Sequence, residues 1–235
     1  MLTAIIVAGG SSQRMGFDKI LAPLAGKSVL AHSLEAFEQT ASVERIILVG
    51  QAEKLAQYEK ISEAFGFKKI AAVIPGGTRR QDSVQCGLEQ VDASSTFVAV
   101  HDAARPLVRP DLIERIFAAA QTHGGATSAA PVIDTLKRAD DQYMVTGGVE
   151  RAGLFAVQTP QIFRRELLDK AYQAIFDAGL EVTDEISAIE RVGGNVVLLP
   201  NEEPNFKITY PGDLSLAEFL LSQRGSRQIS GAAAV

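Results

Sequence analysis

Of 235 residues only one is cysteine, Cys86, and none is tryptophan. A single thiol cannot close an intrachain disulfide, and the three histidines stand too far from one another and from Cys86 to form a zinc-ligand pattern. Both absences suit a reducing cytoplasm. Long apolar runs are missing as well: Ala4–Ala8 ends early at Gly9-Gly10 and has no basic side chain ahead of it. It therefore reads as neither a signal core nor a membrane span. Nor is there an excess of positive charge. Against 23 Lys and Arg stand 28 Asp and Glu, a net charge of −5, which argues against a broad nucleic-acid or anionic-membrane surface while leaving room for a local basic pocket. No internal repeat is visible. What remains, 46% hydrophobic and 22% charged residues, is the mixture of a folded soluble globule.

Short β-branched apolar runs alternate with stretches of helical periodicity. Leu2–Ala8, Arg45–Val49, Lys69–Ile74, Thr96–His101 and Ala126–Pro131 read as strands, mostly apolar as expected when both faces are covered. Val29–Glu38, Glu53–Phe65, Ser83–Gln90 and Asp111–His123 carry the i, i+3, i+4 spacing of amphipathic helices, with Pro110 tolerated in a first turn. Helices at Glu166–Ala178, Asp184–Arg191 and Asp213–Gln223 and strands at Asn195–Leu199 and Phe206–Ile208 complete the pattern. The alternation predicts a doubly wound, mainly parallel Rossmann-like α/β sheet, in one domain over residues 1–224 followed by a small-residue flexible tail at 225–235. Asp134–Gly148 breaks the rhythm: two polar-flanked segments around Asp140-Asp141-Gln142 predict a β-hairpin arm that projects from the globule and clasps a partner subunit.

A doubly wound sheet binds ligands beyond the carboxyl ends of its strands, so the residues just after each strand carry the search. The first such loop runs Ala8-Gly9-Gly10-Ser11-Ser12-Gln13-Arg14-Met15-Gly16-Phe17-Asp18-Lys19. Its spacing fits neither the dinucleotide fingerprint nor the P-loop. It offers instead a Gly/Ser turn with two cations, Arg14 and Lys19, suited to a polyphosphate, or else a plain turn with solvated charges. A second glycine loop, Pro75-Gly76-Gly77-Thr78-Arg79-Arg80, leads to Ser83, which either caps the following helix or bonds a base or ribose; Arg79 and Arg80 read as surface charges. Asp102 ends an apolar strand, where it can hold Mg²⁺ together with substrate phosphates or cap a turn. Next to it, His101 reads as structural, and Cys86 as packing. Thr183 either caps a helix or binds ligand. Lys207, inside a predicted apolar strand, requires an anion or a carboxylate partner. Cations, loop amides and one metal-ready carboxylate suit nucleotidyl or phosphoryl transfer, in which positioning and charge neutralisation dominate. A phosphate nucleophile, already ionised at neutral pH, needs no general base.

Taken in order, Ala8-Gly9-Gly10 with Arg14-Met15-Gly16 and Lys19, Gly76-Gly77 with Asp82-Ser83-Val84, His101 to Pro106, Asp134-Thr135-Leu136-Lys137, Gln158-Thr159-Pro160-Gln161, Thr183-Asp184-Glu185 and Lys207-Ile208-Thr209 closely resemble the 2-C-methyl-D-erythritol 4-phosphate cytidylyltransferase family over residues 2–222. The resemblance implies a Mg²⁺-dependent transfer of CMP from CTP to methylerythritol phosphate, with release of pyrophosphate, in non-mevalonate isoprenoid synthesis. It also implies roles. Ala8, Gly9, Gly10, Gly77, Ser83 and Ala103 would hold the cytidine; Arg14, Lys19 and Lys207 would act in catalysis; Asp102 would touch metal and substrate. Arg105, Thr135, Arg151, Thr183 and Lys207 would hold the polyol phosphate, some of them from the partner's arm in a homodimer. The chain departs from the family at Thr78, Ser28 and Phe155. Two other readings compete, a ribitol-5-phosphate cytidylyltransferase and a non-catalytic nucleotide sensor.

Overall fold

The first apolar run forms β1, Leu2–Val7, buried from Leu2 to Ile6. A short hairpin of β2 (Pro23–Leu24) and β3 (Lys27–Ser28) precedes α1 (Val29–Gln39), whose N-cap Ser28 accepts a hydrogen bond from the Ala31 N–H. Then follow β4 (Val43–Gly50), α2 (Leu55–Phe65), β5 (Ile70–Pro75), α3 (Arg80–Leu88), β6 (Phe97–Asp102), α4 (Pro110–His123) and β7 (Gly125–Pro131). After β7 come the pair β8 (Leu136–Ala139) and β9 (Val145–Val149), then β10 (Phe155–Arg164), α5 (Arg165–Asp177), α6 (Glu185–Arg191), β11 (Val197–Pro200) and α7 (Pro211–Ala232). This is a computed structural model; it describes residues 1–10 and 14–232, so the centre of the first loop and residues 233–235 lie outside it.

Seven strands form one sheet in the order β11-β7-β10-β6-β1-β4-β5, and only β10 runs antiparallel to its neighbours. The expected doubly wound, mainly parallel sheet is therefore present. Alternate β1 side chains feed opposite cores. Leu2, Ala4 and Ile6 join Leu30, Leu34 and Phe37 of α1 and Ile113 and Ile116 of α4. On the other face Ile5 meets Val84 and Leu88 of α3 and Leu168, Tyr172 and Ile175 of α5. Helix α3 lies so close to β1 that a Cβ on Gly87 would come within 2.6 Å of Ile5 Cγ2. Only glycine fits there.

From β1 the chain steps to β4 and β5 on one side, then returns to β6 on the other. This reversal splays apart the loops that leave the carboxyl ends of β1 and β6 and opens a crevice between them. Ladder bonds anchor its floor: Ala8 N–H donates to Val49 O (2.7 Å) and Ala103 N–H to Val7 O (3.0 Å).

Four local readings need correction. The ten-residue β10 was not predicted, because Gln158, Thr159, Pro160 and Gln161 interrupt its apolar pattern and its register shifts between Val157 and Gln161. Phe206–Ile208 is no strand; it is an extended connection docked by Ile208 N–H on Ala104 O at 2.8 Å. The third helix starts at Arg80, three residues before Ser83, with Arg79 at its N-cap and Asp82 accepting from the Arg79 N–H at 3.0 Å. The last helix passes Gln223 and reaches Ala232, so the expected tail at 225–235 overlaps its final turns.

The predicted hairpin forms as β8 and β9, separate from the main sheet. Asp140 shapes its turn, its Oδ1 accepting from the N–H groups of Gln142 (3.0 Å) and Met144 (2.9 Å). Ile133, Tyr143, Met144 and Val145 are 64–91% exposed along it. No helix among the described residues is long and apolar enough to cross a membrane.

Candidate active site

A cleft of about 520 Å³ opens where the sheet reverses direction. Gly9, Gly10, Arg14 and Lys19 form one side, Gly77 and Ser83 another, and Asp102 and Lys207 its inner end. Tight geometry demands both glycines of the second loop. A Cβ on Gly76 would fall 2.5 Å from Ser83 Oγ, and one on Gly77 would fall 2.4 Å from the Asp82 Cβ. Ser83 lies inside α3 rather than at its cap, its hydroxyl near Arg79 O (3.3 Å) and Gly77 O (3.4 Å). Ala8 and Ala103 stand behind the cleft, buried and with their N–H groups committed to the ladder, while Ala104 lines it.

The cations converge from distant parts of the chain. Lys19 is buried and donates to Ile208 O at 2.9 Å. Burial, then the charges of Lys207 and Arg14, lower its pKa below the ordinary lysine value. The Arg14 guanidinium sits over the Tyr210 ring, 5.5 Å from its centroid. Lys207 finds the carboxylate partner its apolar flanks required, with Nζ 2.8 Å from Asp102 Oδ2.

Asp102 is the meeting point. Its Oδ1 accepts from Arg80 Nε at 3.1 Å, and Arg105 Nε lies 3.8 Å from Oδ2. Burial alone would raise the carboxyl pKa, but Arg80, Lys207 and Arg105 outweigh it and hold the group well below the usual carboxylate range. Arg80 is no surface charge: its fork grips Glu185 at 2.7 and 3.0 Å. Its burial disfavours the charge, yet Glu185 and Asp102 raise its pKa overall. The surface reading failed because Glu185 lies 105 residues away. The available signal was Asp102 itself, an acid ending an apolar strand and in need of cations.

A second cavity of about 220 Å³ shares Arg80, Asp102 and Lys207 with the first and adds Arg105, Thr183 and the Gln158–Thr159 segment. Thr183 lines it and is not the cap of α6; Asp184 is, accepting from Ser187 N–H. Thr159, Gln158 and Gln161, singled out in the sequence as a motif without an assigned role, enter the site through β10. His101 serves structure: fully buried, its ring nitrogens meet Thr159 Oγ1 (3.1 Å) and Arg105 O (3.3 Å), and burial pushes its pKa down to about 3. Thr135 and Arg151 sit at the arm and line neither cavity; Arg151 instead donates to Ile133 O.

No group of three or more His, Cys, Asp or Glu among the described residues is placed to hold a metal by itself. Among those residues Asp102 is the only acid common to both cavities. One carboxylate is what Mg²⁺ takes from a protein when substrate phosphates and water fill its remaining positions, and the three cations around Asp102 disfavour a dication that arrives without such phosphates.

The profile of the IspD family, 2-C-methyl-D-erythritol 4-phosphate cytidylyltransferase, matches residues 2–223. A protein of that name from Dehalococcoides mccartyi strain CBDB1 is 40% identical over 221 residues, 94% of this chain and 96% of its own. Its counterpart from Caldanaerobacter subterraneus subsp. tengcongensis is 38% identical, covering 94% and 98%. Among solved structures, the 4-diphosphocytidyl-2C-methyl-D-erythritol synthase of Anaerococcus prevotii superposes with a TM-score of 0.83 at 28% identity, covering 94% of this chain and 96% of that one. The 2-C-methyl-D-erythritol 4-phosphate cytidylyltransferase of Thermus thermophilus gives 0.74 at 31%, covering 93% and 98%. A switch-point cleft rich in loop amides and cations, on a chain with these relatives, belongs to the 2-C-methyl-D-erythritol 4-phosphate cytidylyltransferase family.

Proposed function

We propose that the larger cavity holds CTP, that the smaller holds 2-C-methyl-D-erythritol 4-phosphate, and that cytidylyl transfer takes place at the wall between them. The observation that carries this reading is the Asp102–Lys207 pair, 2.8 Å apart and lining both cavities. The polyol phosphate is already ionised at neutral pH, so the barrier is repulsion between two anions rather than removal of a proton. Arg14 and Lys19 lie on the side of the Gly9-Gly10 loop, where they neutralise the triphosphate and the charge that builds on the attacked phosphorus and the departing pyrophosphate. Lys207, tethered to Asp102, lies where the incoming phosphate must pass and carries the positive charge that draws it in. Arg105 and Thr183 hold that phosphate's sugar side. Gly77 and Ser83 leave room for the flat base. Asp102, together with the triphosphate, would hold Mg²⁺, which would supply further charge neutralisation.

The arm belongs to the same reading. Its exposed apolar side chains cannot be buried within its own chain, and a two-stranded hairpin is marginal alone. In a homodimer each arm covers the other protomer and brings Thr135 and Arg151 to the partner's polyol cavity. The protein works in the cytoplasm. Pyrophosphate release with CTP and Mg²⁺, measured in parallel with methylerythritol 4-phosphate and ribitol 5-phosphate, tests the assignment. Release only with the first is the expected outcome; release only with the second moves the enzyme to ribitol activation, and release with neither leaves a nucleotide sensor.

A further inference from the structure

Behind the wall shared by the two cavities lies a buried acid that neither cavity exposes. Glu185 has no solvent-accessible surface and is the first residue of α6, where a negative charge is favoured by the helix dipole. Its Oε1 accepts from the Tyr172 hydroxyl of α5 at 2.9 Å, and both of its oxygens accept from the forked end of Arg80. Arg80 opens α3, the wrong helix end for a cation, so the two carboxylates it contacts are what hold it there. With both terminal nitrogens turned to Glu185, the guanidinium meets Asp102 through Nε alone. Asp102 Oδ2 is thereby left to hydrogen-bond Lys207, with Arg105 Nε farther off at 3.8 Å.

We propose that Glu185, steadied by Tyr172, is a positioning residue of the transfer reaction: it restrains Arg80 so that Asp102 keeps one oxygen for Lys207. This inference rests on the cytidylyl-transfer reading. Released from Glu185, the Arg80 fork is able to take both Asp102 oxygens in the bidentate geometry arginine favours, and Lys207 loses its anchor. A second consequence has the opposite sign. Without the Glu185 charge the cleft is one unit more positive, so an anionic nucleotide binds no more weakly than before.

The test uses the full-length protein, with CTP, Mg²⁺ and methylerythritol 4-phosphate, and follows pyrophosphate release alongside the thermal midpoint. Wild-type turnover comes first; its absence overturns the cytidylyl reading and this proposal with it. Given turnover, Glu185→Gln is expected to lower kcat about tenfold while KM for CTP stays level or falls, since small misplacements cost rate rather than binding. Glu185→Asp restores the charge but falls a methylene short of Arg80, so KM for CTP returns to the wild-type value and kcat remains low. Tyr172→Phe, which removes only a hydroxyl, is expected to lower kcat about threefold with no change in KM for CTP. The proposal is overturned by a kcat within twofold of wild type in Glu185→Gln, or by a KM for CTP that rises in step with the loss of kcat. Should Glu185→Gln not fold, an unaltered kcat in Tyr172→Phe overturns it.

Discussion

Asp102 and Tyr143 stand at opposite extremes of this molecule. Asp102 is a charged group only 7% exposed, with Arg80 and Lys207 brought to it from other segments and Arg105 from three residues along its own. Tyr143 is an aromatic ring 91% exposed at the tip of the arm. Each breaks the ordinary rule for its residue type, and the two are resolved differently. In the cleft a buried charge is offset within one chain, so the site is organised before any ligand arrives. On the arm an unburied apolar surface finds nothing in its own chain to cover it. The first arrangement leaves a compensated charge inside the chain; the second leaves an apolar surface outside it.

The largest expected effect tests the cleft half of this contrast. Lys19→Ala is expected to lower kcat on the order of 10³-fold while changing CTP affinity far less, because its charge counts most as negative charge builds in the transition state. Equal losses in calorimetric CTP affinity and in kcat remove it from that role. Burial lowers the Lys19 pKa below 10.5, so turnover is expected to decline on the alkaline side before a free lysine would lose its proton. Lys19→Arg, if active, moves that limb upward. On the arm half, Tyr143→Ser with Met144→Ser is expected to give monomers by sedimentation at micromolar concentration, with CTP affinity within about twofold of wild type, because neither residue lines the cavity proposed to hold CTP. An intact dimer shows that the arm is not the clasp.

A further expected effect, on stability rather than on rate, concerns the support beneath the cleft. His101 is neutral when folded, its pKa about 3 against 6.5 when unfolded. The unfolded chain therefore binds the extra proton between those values. The stability associated with His101 is full above pH 6.5 and is lost as the pH falls towards 3, at up to about 1.4 kcal/mol per pH unit. Urea unfolding across that range is expected to show the slope in the wild type and a flatter one in His101→Gln. The same slope in both variants assigns the acid sensitivity to other groups.

Which parts were legible from sequence follows from how local their causes are. The strands β1, β4 and β6 announce themselves because a doubly covered strand is largely apolar along its own length, and the half-buried edge strand β5 keeps the same signal in Ile70–Ile74. Asp102 and Lys207 could be singled out because each is a charge in an apolar neighbourhood of its own segment. Arg80 could not, since the residues that bury it belong to segments far along the chain. Strand β10 escaped for a related reason: its polar middle faces the site, so Gln158, Thr159 and Gln161 replace the apolar signal that a strand ordinarily carries. The hairpin arm was readable because its polar turn and thin apolar content are local properties.

The bond from Lys19 to the carbonyl of Ile208 spans 189 positions. Residues that arrive early in synthesis therefore wait for residues that arrive near its end. While the chain is still being made, β1 and its glycine loop can form without the inner end of the cleft, which Lys207 supplies. A chain stopped before Lys207 holds all seven strands of the sheet and lacks the inner end of the cleft. Among the described residues that line the cleft, Lys207 and Thr209 are the last to be synthesised, so the cleft is not complete before them.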